Sequence, residues 1–194
     1  AVTVDVSEQE QTESMAEQAI ARFGKIDGLV NNAAIAIRVH HTRAPLEEIP
    51  VDEFDRMLAV NLKGVFLCSR AVVPHMKQRD YGKILNMSSG TYFNGRENIV
   101  HYVASKGGVV AFTKVLAREI GGWHITVNSV APGLTASETV EHDIKQFEAR
   151  IPNRAIKRVE VPEDLVGAGI FFMSAESDFI SGQTLVVDGG VAMR

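Results

Sequence analysis

This sequence predicts a doubly wound α/β fold, a parallel sheet between two layers of helices in an α/β/α sandwich, and three observations carry the prediction. Short runs at residues 2–6, 28–31, 83–87, 125–130 and 184–187 are almost continuously apolar, the pattern of strands buried on both faces. The stretches between them are long enough for helices and carry apolar residues three and four apart. The two patterns alternate, as successive β-α units of a parallel sheet require. No internal repeat or low-complexity tract breaks the order, so residues 1–194 read as a single domain.

Each element has its own signal. After the strand at 2–6, Ser7 and Glu10 have the spacing of a capping box, and Met15, Ala19, Ile20 and Phe23 follow at helical intervals. Residues 24–27 turn the chain into the strand at 28–31, and a loop carrying Arg38, His40, His41, Arg43 and Pro45 comes next. Residues 51–80 keep helical periodicity through Phe54, Leu58, Leu62, Val65, Phe66, Ala71 and Val72, which predicts two helices joined near Asn61 and stopped by Gly82. Beyond the strand at 83–87, a helix is predicted over 102–121 and a strand over 125–130 that closes on Pro132-Gly133. Residues 136–150 read as a helix with a polar face. Pro162 can open a helix running to Met173, with residues 171–173 in the core, and the strand at 184–187 ends at Asp188-Gly189-Gly190.

Composition limits the partners. A net charge of -4, with 45% apolar and 23% charged residues, leaves no basic footprint for nucleic acid or anionic lipid. No apolar run approaches the roughly 20 residues of a membrane span. The single cysteine, Cys68, excludes an internal disulfide, fits a reducing, cytoplasmic setting, and lies on an apolar helical face as a core thiol. His40 and His41 have no third ligand at suitable spacing, so they read as a solvated loop and no metal site is expected. A small-molecule partner is the remaining expectation.

Ligands of open α/β sheets bind beyond the carboxyl ends of the strands. Asn31-Asn32, Ser88-Ser89 and Pro132-Gly133 each follow a predicted strand, so three strand ends line one crevice. Tyr102 and Lys106, four apart on a helix, share a face. A neighbouring ammonium favours the phenolate and is expected to bring the tyrosine, ordinarily near pKa ~10, toward neutrality for general acid or base work. Ser89 can hold a substrate oxygen against that phenol, and Asn61 can fix a water or a backbone group behind the lysine.

Read in order, Asp5-Val6, Asn31-Asn32-Ala33-Ala34, Asn61, Ser89, Tyr102-x-x-x-Lys106, Pro132-Gly133 and Asp188-Gly189-Gly190 resemble the short-chain dehydrogenase/reductase family over the whole chain. The resemblance implies a Rossmann-like fold and an NAD- or NADP-dependent oxidoreductase that interconverts a secondary alcohol and a ketone by hydride transfer. Asn61, Ser89, Tyr102 and Lys106 match the family's catalytic residues. Asp5 and Val6 match positions that meet the adenine, and Asn32, Ala33 and Ala34 the turn beside the adenosine ribose. Val60, Met87, Tyr102 and Lys106 are placed on the cofactor as well, with Pro132, Gly133, Thr135 and Ser137 on the segment that meets the nicotinamide carboxamide. Thr91, Tyr92, Phe93 and Arg96, with His101, are expected beside the substrate, and residues 134–157 resemble the family's lid. The helices at 62–78 and 102–121 and the strand near Thr184 match family interfaces, so a homotetramer, or a homodimer, is expected.

Two departures are small: Ala34 stands where the family has glycine, and Ser137 where it has threonine. A larger one is that no Gly-x-x-x-Gly-x-Gly follows a strand. The resemblance therefore implies an N-terminally incomplete chain that starts at the family's third strand, binds cofactor poorly by itself, and leaves residues 29–30 on a bare sheet edge. Two other activities fit these motifs: reduction of a 3-oxoacyl thioester on an acyl carrier protein, and a non-catalytic binding role on the same fold.

Overall fold

The structure is a computed structural model and describes residues 1–36, 41–136 and 144–193. Four parallel strands, β1 (Gly28–Asn31), β2 (Gly82–Met87), β3 (Ile125–Pro132) and β4 (Thr184–Val187), lie in the order β1-β2-β3-β4. Leu29 pairs with Ile84, Ile84 with Val127, and Val130 with Leu185. Because side chains alternate across a strand, Ile84 and Val127 enter one core and Leu85 and Val130 the other. The first core is closed by α1 (Gln9–Phe23), α3 (Gly64–Gln78) and α5 (Val100–Ile120) through Ala16, Val72, Met76 and Ile120. The second is closed by α7 (Glu163–Met173) through Phe172 and Leu165. The predicted three-layer architecture is present.

Residues 2–6 form no strand. They pair with none among the described residues, and an apolar run becomes a strand only beside a partner ladder. The predicted capping box is also absent, because Ser7 donates from its backbone N (2.9 Å) and Oγ (2.7 Å) to Asp5 Oδ1, and α1 starts at Gln9. Gly24 ends α1 at φ +74°, in the left-handed region glycine favours, with its N–H on Ile20 O. β1 is a sheet edge, and Val30 there is 49% exposed. The predicted junction near Asn61 is a π turn, Ala59–Lys63, between α2 (Val51–Leu58) and α3. This continuous run, Val51–Gln78, is long and apolar enough to cross a membrane by length and composition, contrary to the expectation from the sequence. Its apolar residues Val65, Leu67, Cys68, Val72, Val73 and Met76 are spent on the domain interior.

Other differences are local. Phe172 is buried, but Phe171 is 39% exposed, so residues 171–173 are core only in part. Of the predicted helix at 136–150, the described residues contain α6 (Ile144–Glu148). A short helix, α4 (Thr91–Asn94), follows β2. Asn31 is structural: its Nδ2 donates to Asn86 Oδ1 (2.8 Å) and Ser69 Oγ (3.3 Å), and Asn86 Nδ2 donates to Thr113 Oγ1 (2.9 Å). That buried chain ties β1 to β2, α3 and α5, and satisfies polar groups that are costly to strand in a core.

Candidate active site

The amino-terminal part of α5 crosses the carboxyl end of β2 and sets Tyr102 and Lys106 side by side, 8% and 4% exposed. Lys106 Nζ donates to Met87 O at 2.8 Å and lies 6.0 Å from the centre of the Tyr102 ring. Burial pushes the lysine down to about 8 from 10.5. Burial also pushes the Tyr102 phenol up, against a smaller downward pull from its hydrogen bond to Ser89. The expected drop toward neutrality is therefore not what this arrangement produces. The ammonium donates to a carbonyl, and desolvation by burial outweighs the one opposing influence on the phenol, that of Ser89.

Ser89 and its neighbours form the strand end. Thr91 donates to Ser89 Oγ from its backbone N (3.3 Å) and from Oγ1 (3.0 Å), while Ser88 Oγ donates to Lys106 O at 2.9 Å, joining β2 to α5. Asn61 is completely buried on the π turn, where an extra residue per turn redirects a side chain. Its Oδ1 accepts from Ile35 N (2.7 Å), and its Nδ2 donates to Ile35 O (3.1 Å) and Ser105 Oγ (3.2 Å). Ser105 Oγ donates in turn to Tyr102 O at 2.7 Å. Asn61 thus holds a backbone group, as expected, but that of Ile35, and it reaches Tyr102 through Ser105. Ser105 is the link sequence reading missed, though its place between Tyr102 and Lys106 was a signal.

The strand ends converge. Gly90 N donates to Pro132 O at 2.8 Å, and a Cβ on Gly90 would lie 3.1 Å from that oxygen, so only glycine fits without displacement. Gly133 N donates to Val187 O, and Thr135 Oγ1 to Glu160 Oε1 (2.7 Å). Asn32, Ala33 and Ala34 are exposed past β1, and Val60 is half-buried in the π turn. Val6 packs on Gly64, where a Cβ would come within 2.8 Å of its Cγ2. Asp5 is exposed, and the two Ser7 hydrogen bonds hold its carboxyl below the usual range. Ser137 and His40 lie outside the described residues.

Tyr92 lays its ring on Gly107 of α5, where a Cβ would be 2.9 Å from Cδ2, and meets Phe93 edge-on at 4.9 Å. Arg96 is half-buried just beyond α4. His101, expected at the substrate, is instead wholly enclosed, with its ring 5.4 Å from that of His41, because one step along the helix from Tyr102 turns a side chain ~100° away. Burial pushes its pKa down, against a smaller opposing pull from Glu53. Among the described residues no group of three or more metal-ligating side chains is gathered.

Lys106 supplies the test of fit for a dinucleotide. An ammonium has three donors, and one hydrogen bond, to Met87 O, is made here. The donors left over in this enclosed place suit sugar hydroxyls, and the exposed turn at Asn32 leaves the adjoining strand end open to a ligand. The family model described as enoyl-(acyl carrier protein) reductase matches residues 1–192. The chain belongs to the short-chain dehydrogenase/reductase family. It is an oxidoreductase that uses NAD or NADP on an alcohol or ketone.

Its relatives differ in substrate. A 5-keto-D-gluconate 5-reductase of Escherichia coli K12 is 36% identical over 194 residues, spanning 98% of this chain and 74% of that protein. A 3-oxoacyl-[acyl-carrier-protein] reductase of Thermotoga maritima is 35% identical, spanning 98% of this chain and 76% of that one. Among solved structures, a gluconate 5-dehydrogenase from Burkholderia cenocepacia in complex with NADP and tartrate superimposes with a TM-score of 0.88 at 37% identity, over 96% of this chain and 72% of that one.

Proposed function

We propose that Ser89, Tyr102 and Lys106, supported by Asn61, carry out the interconversion of a secondary alcohol and a ketone in this protein. The observation that carries the reading is the burial of Tyr102 and Lys106 together at the strand ends, with Ser89 close enough to pull the phenol pKa down. A raised phenol pKa keeps Tyr102 protonated near pH 7, ready to give its proton to a carbonyl oxygen. In the oxidative direction Tyr102 takes that proton from the alcohol, after first losing its own. Ser89 Oγ holds the substrate oxygen against the phenol. Lys106 fixes the ribose with its free donors while Met87 O anchors the ammonium. Asn32, Ala33, Ala34 and Val60 border the adenosine side, with Asp5 and Val6 beyond them, and Pro132, Gly133, Thr135 and Ser137 border the carboxamide. The bound nicotinamide supplies or accepts the hydride. Thr91, Tyr92, Phe93 and Arg96 form the substrate side, and residues 134–157 the lid.

Changing Tyr102→Phe keeps the ring and removes the proton, so turnover falls by ~10²–10⁴-fold while cofactor affinity survives. Near-normal turnover by that variant refutes the assignment. A hydroxylated sugar acid is the substrate class we favour, supported by the gluconate-directed relatives. A 3-oxoacyl thioester is the second reading, supported by the Thermotoga maritima relative. Parallel assays with a keto sugar acid and a 3-oxoacyl thioester decide between them by kcat/KM. A homotetrameric or homodimeric assembly in the cytoplasm completes the proposal. It is supported by exposed Phe66, edge-on to Phe112 at 6.5 Å, on the α3 and α5 surface, and by the one buried thiol. A monomer in sedimentation equilibrium at micromolar concentration overturns the assembly.

A further inference from the structure

Arg154 and Glu160 are 3% and 4% exposed and lie on the segment leading into α7. Neither belongs to the set Ser89, Tyr102 and Lys106. Arg154 Nη2 donates to Leu134 O (2.8 Å) and meets Glu160 Oε2 (3.3 Å), while Nη1 donates to Arg158 O (3.0 Å). Glu160 Oε1 accepts from Thr135 Oγ1 (2.7 Å), and the Glu160 carbonyl accepts from Ala136 N (2.8 Å) beside a parallel bridge between Thr135 and Glu160. Oε2 lies against Gly133, where a Cβ would approach it to 2.4 Å. The Arg154 stem passes Gly189, where a Cβ would sit 3.3 Å from Cδ. Two buried charges thus grip three consecutive residues just past β3.

We propose that Arg154 and Glu160 are a positioning pair that fixes residues 133–135 as a wall for the nicotinamide end of the cofactor. The inference rests on the functional reading above and adds to it the device that shapes this wall. A buried ion pair is a poor source of stability, because desolvating both charges offsets their attraction. What the pair provides is geometry: a planar guanidinium fork and a two-oxygen carboxylate set the Leu134 carbonyl, the Thr135 hydroxyl and the Gly133 backbone in one arrangement. Neutral side chains of similar size can fill the space without reproducing those directions.

The test uses the full-length protein, its Glu160→Gln variant, and an Arg154→Met/Glu160→Leu double variant. Each is titrated with NADH or NADPH, whichever the unaltered protein binds more tightly, and with the matching fragment lacking nicotinamide, ADP-ribose or its 2′-phosphate. Thermal unfolding is followed alongside. The expected result for Glu160→Gln is a ~10-fold rise in the dinucleotide Kd, with less than about a twofold change for the fragment. The double variant is expected to recover the melting temperature, because no charge is left unpaired, while dinucleotide affinity stays low. Recovery of both quantities together, an unchanged dinucleotide Kd in Glu160→Gln, or an equal loss for the fragment overturns the inference. Absence of dinucleotide binding by the folded, unaltered protein overturns the functional reading itself.

Discussion

Replacing Lys106 with methionine is expected to stabilise the protein while destroying its activity. Lys106 is 4% exposed, the one hydrogen bond of its ammonium is to Met87 O, and burial holds its pKa at about 8 against 10.5. At ~1.36 kcal/mol per unit, that difference corresponds to a penalty of roughly 3 kcal/mol for carrying the charge at pH 7. Methionine fills much the same volume, removes the charge, and gives up one hydrogen bond worth about 1 kcal/mol. The net gain at pH 7 is about 2 kcal/mol, or ~4–8 °C in Tm for a chain of this size.

The sign reverses with pH. Between about 8 and 10.5 the unfolded chain retains a proton that the folded one has released, so the stability of the unaltered protein rises through that window. The advantage of Lys106→Met is full below pH 8 and erodes as pH rises, until above pH 10.5 only the lost hydrogen bond remains. Tyr102 titrates oppositely: its raised pKa favours the folded state below the unfolded value near 10, and that contribution is lost as pH climbs past it, in both chains alike. Urea unfolding of both proteins at pH 7 and pH 10 reads the difference directly. A variant less stable by a constant amount at both pH values refutes the idea that Lys106 is a desolvated, strained cation.

Three further outcomes follow from the same structure. Oxidation of the alcohol should accelerate steadily as pH rises toward and past the ordinary phenol value near 10, while reduction stays level below it and falls beyond, since the raised Tyr102 pKa keeps the proton on the phenol; a rising oxidative profile beside a level or falling reductive one checks this, and matching slopes contradict it. Gly133→Ala puts a methyl group 2.4 Å from Glu160 Oε2 and 2.9 Å from Asp188 Cβ, and should cost about 1–3 kcal/mol in urea unfolding through overpacking. Cys68 is buried, and desolvation pushes its thiol up, so an alkylating reagent should modify it only as the protein unfolds; rapid labelling of the folded protein would show that α3 opens.

How much of this could be read from the sequence depends on whether the cause is local. The four sheet strands were legible because burial on both faces leaves an apolar run, and Tyr102 and Lys106 because a spacing of four puts two side chains on one helical face. Residues 2–6 carry the same apolar signal and are not a strand, since pairing depends on a neighbour the run does not encode. The direction of the Tyr102 pKa was misread for a related reason. Spacing reveals that an ammonium is near, but not that it is aimed at Met87 O or that Tyr102 is buried. Arg154 and Glu160 carry no local signal in the sequence, because the groups they grip, Leu134 O and Thr135 Oγ1, are 20 and 25 residues away.

Asn61 combines both kinds of information, and its replacement separates holding the fold together from holding Tyr102 in place. Its position at a helix junction was visible; its grip on Ile35, 26 residues back, was not. Asn61→Leu preserves the approximate volume but deprives Ile35 N and O of their partner and Ser105 Oγ of its donor. Ile35 is half-buried, so water can replace part of what is lost, and the stability cost should be about 2 kcal/mol. If Asn61 served packing alone, the protein still folded at 25 °C would turn over normally. Because Ser105 ties Asn61 to the Tyr102 backbone, kcat should instead fall at least ~10-fold with the cofactor KM nearly unchanged, since about 1.4 kcal/mol of lost alignment suffices. Unaltered kcat in folded Asn61→Leu would make the π turn a structural hinge with no share in placing the phenol.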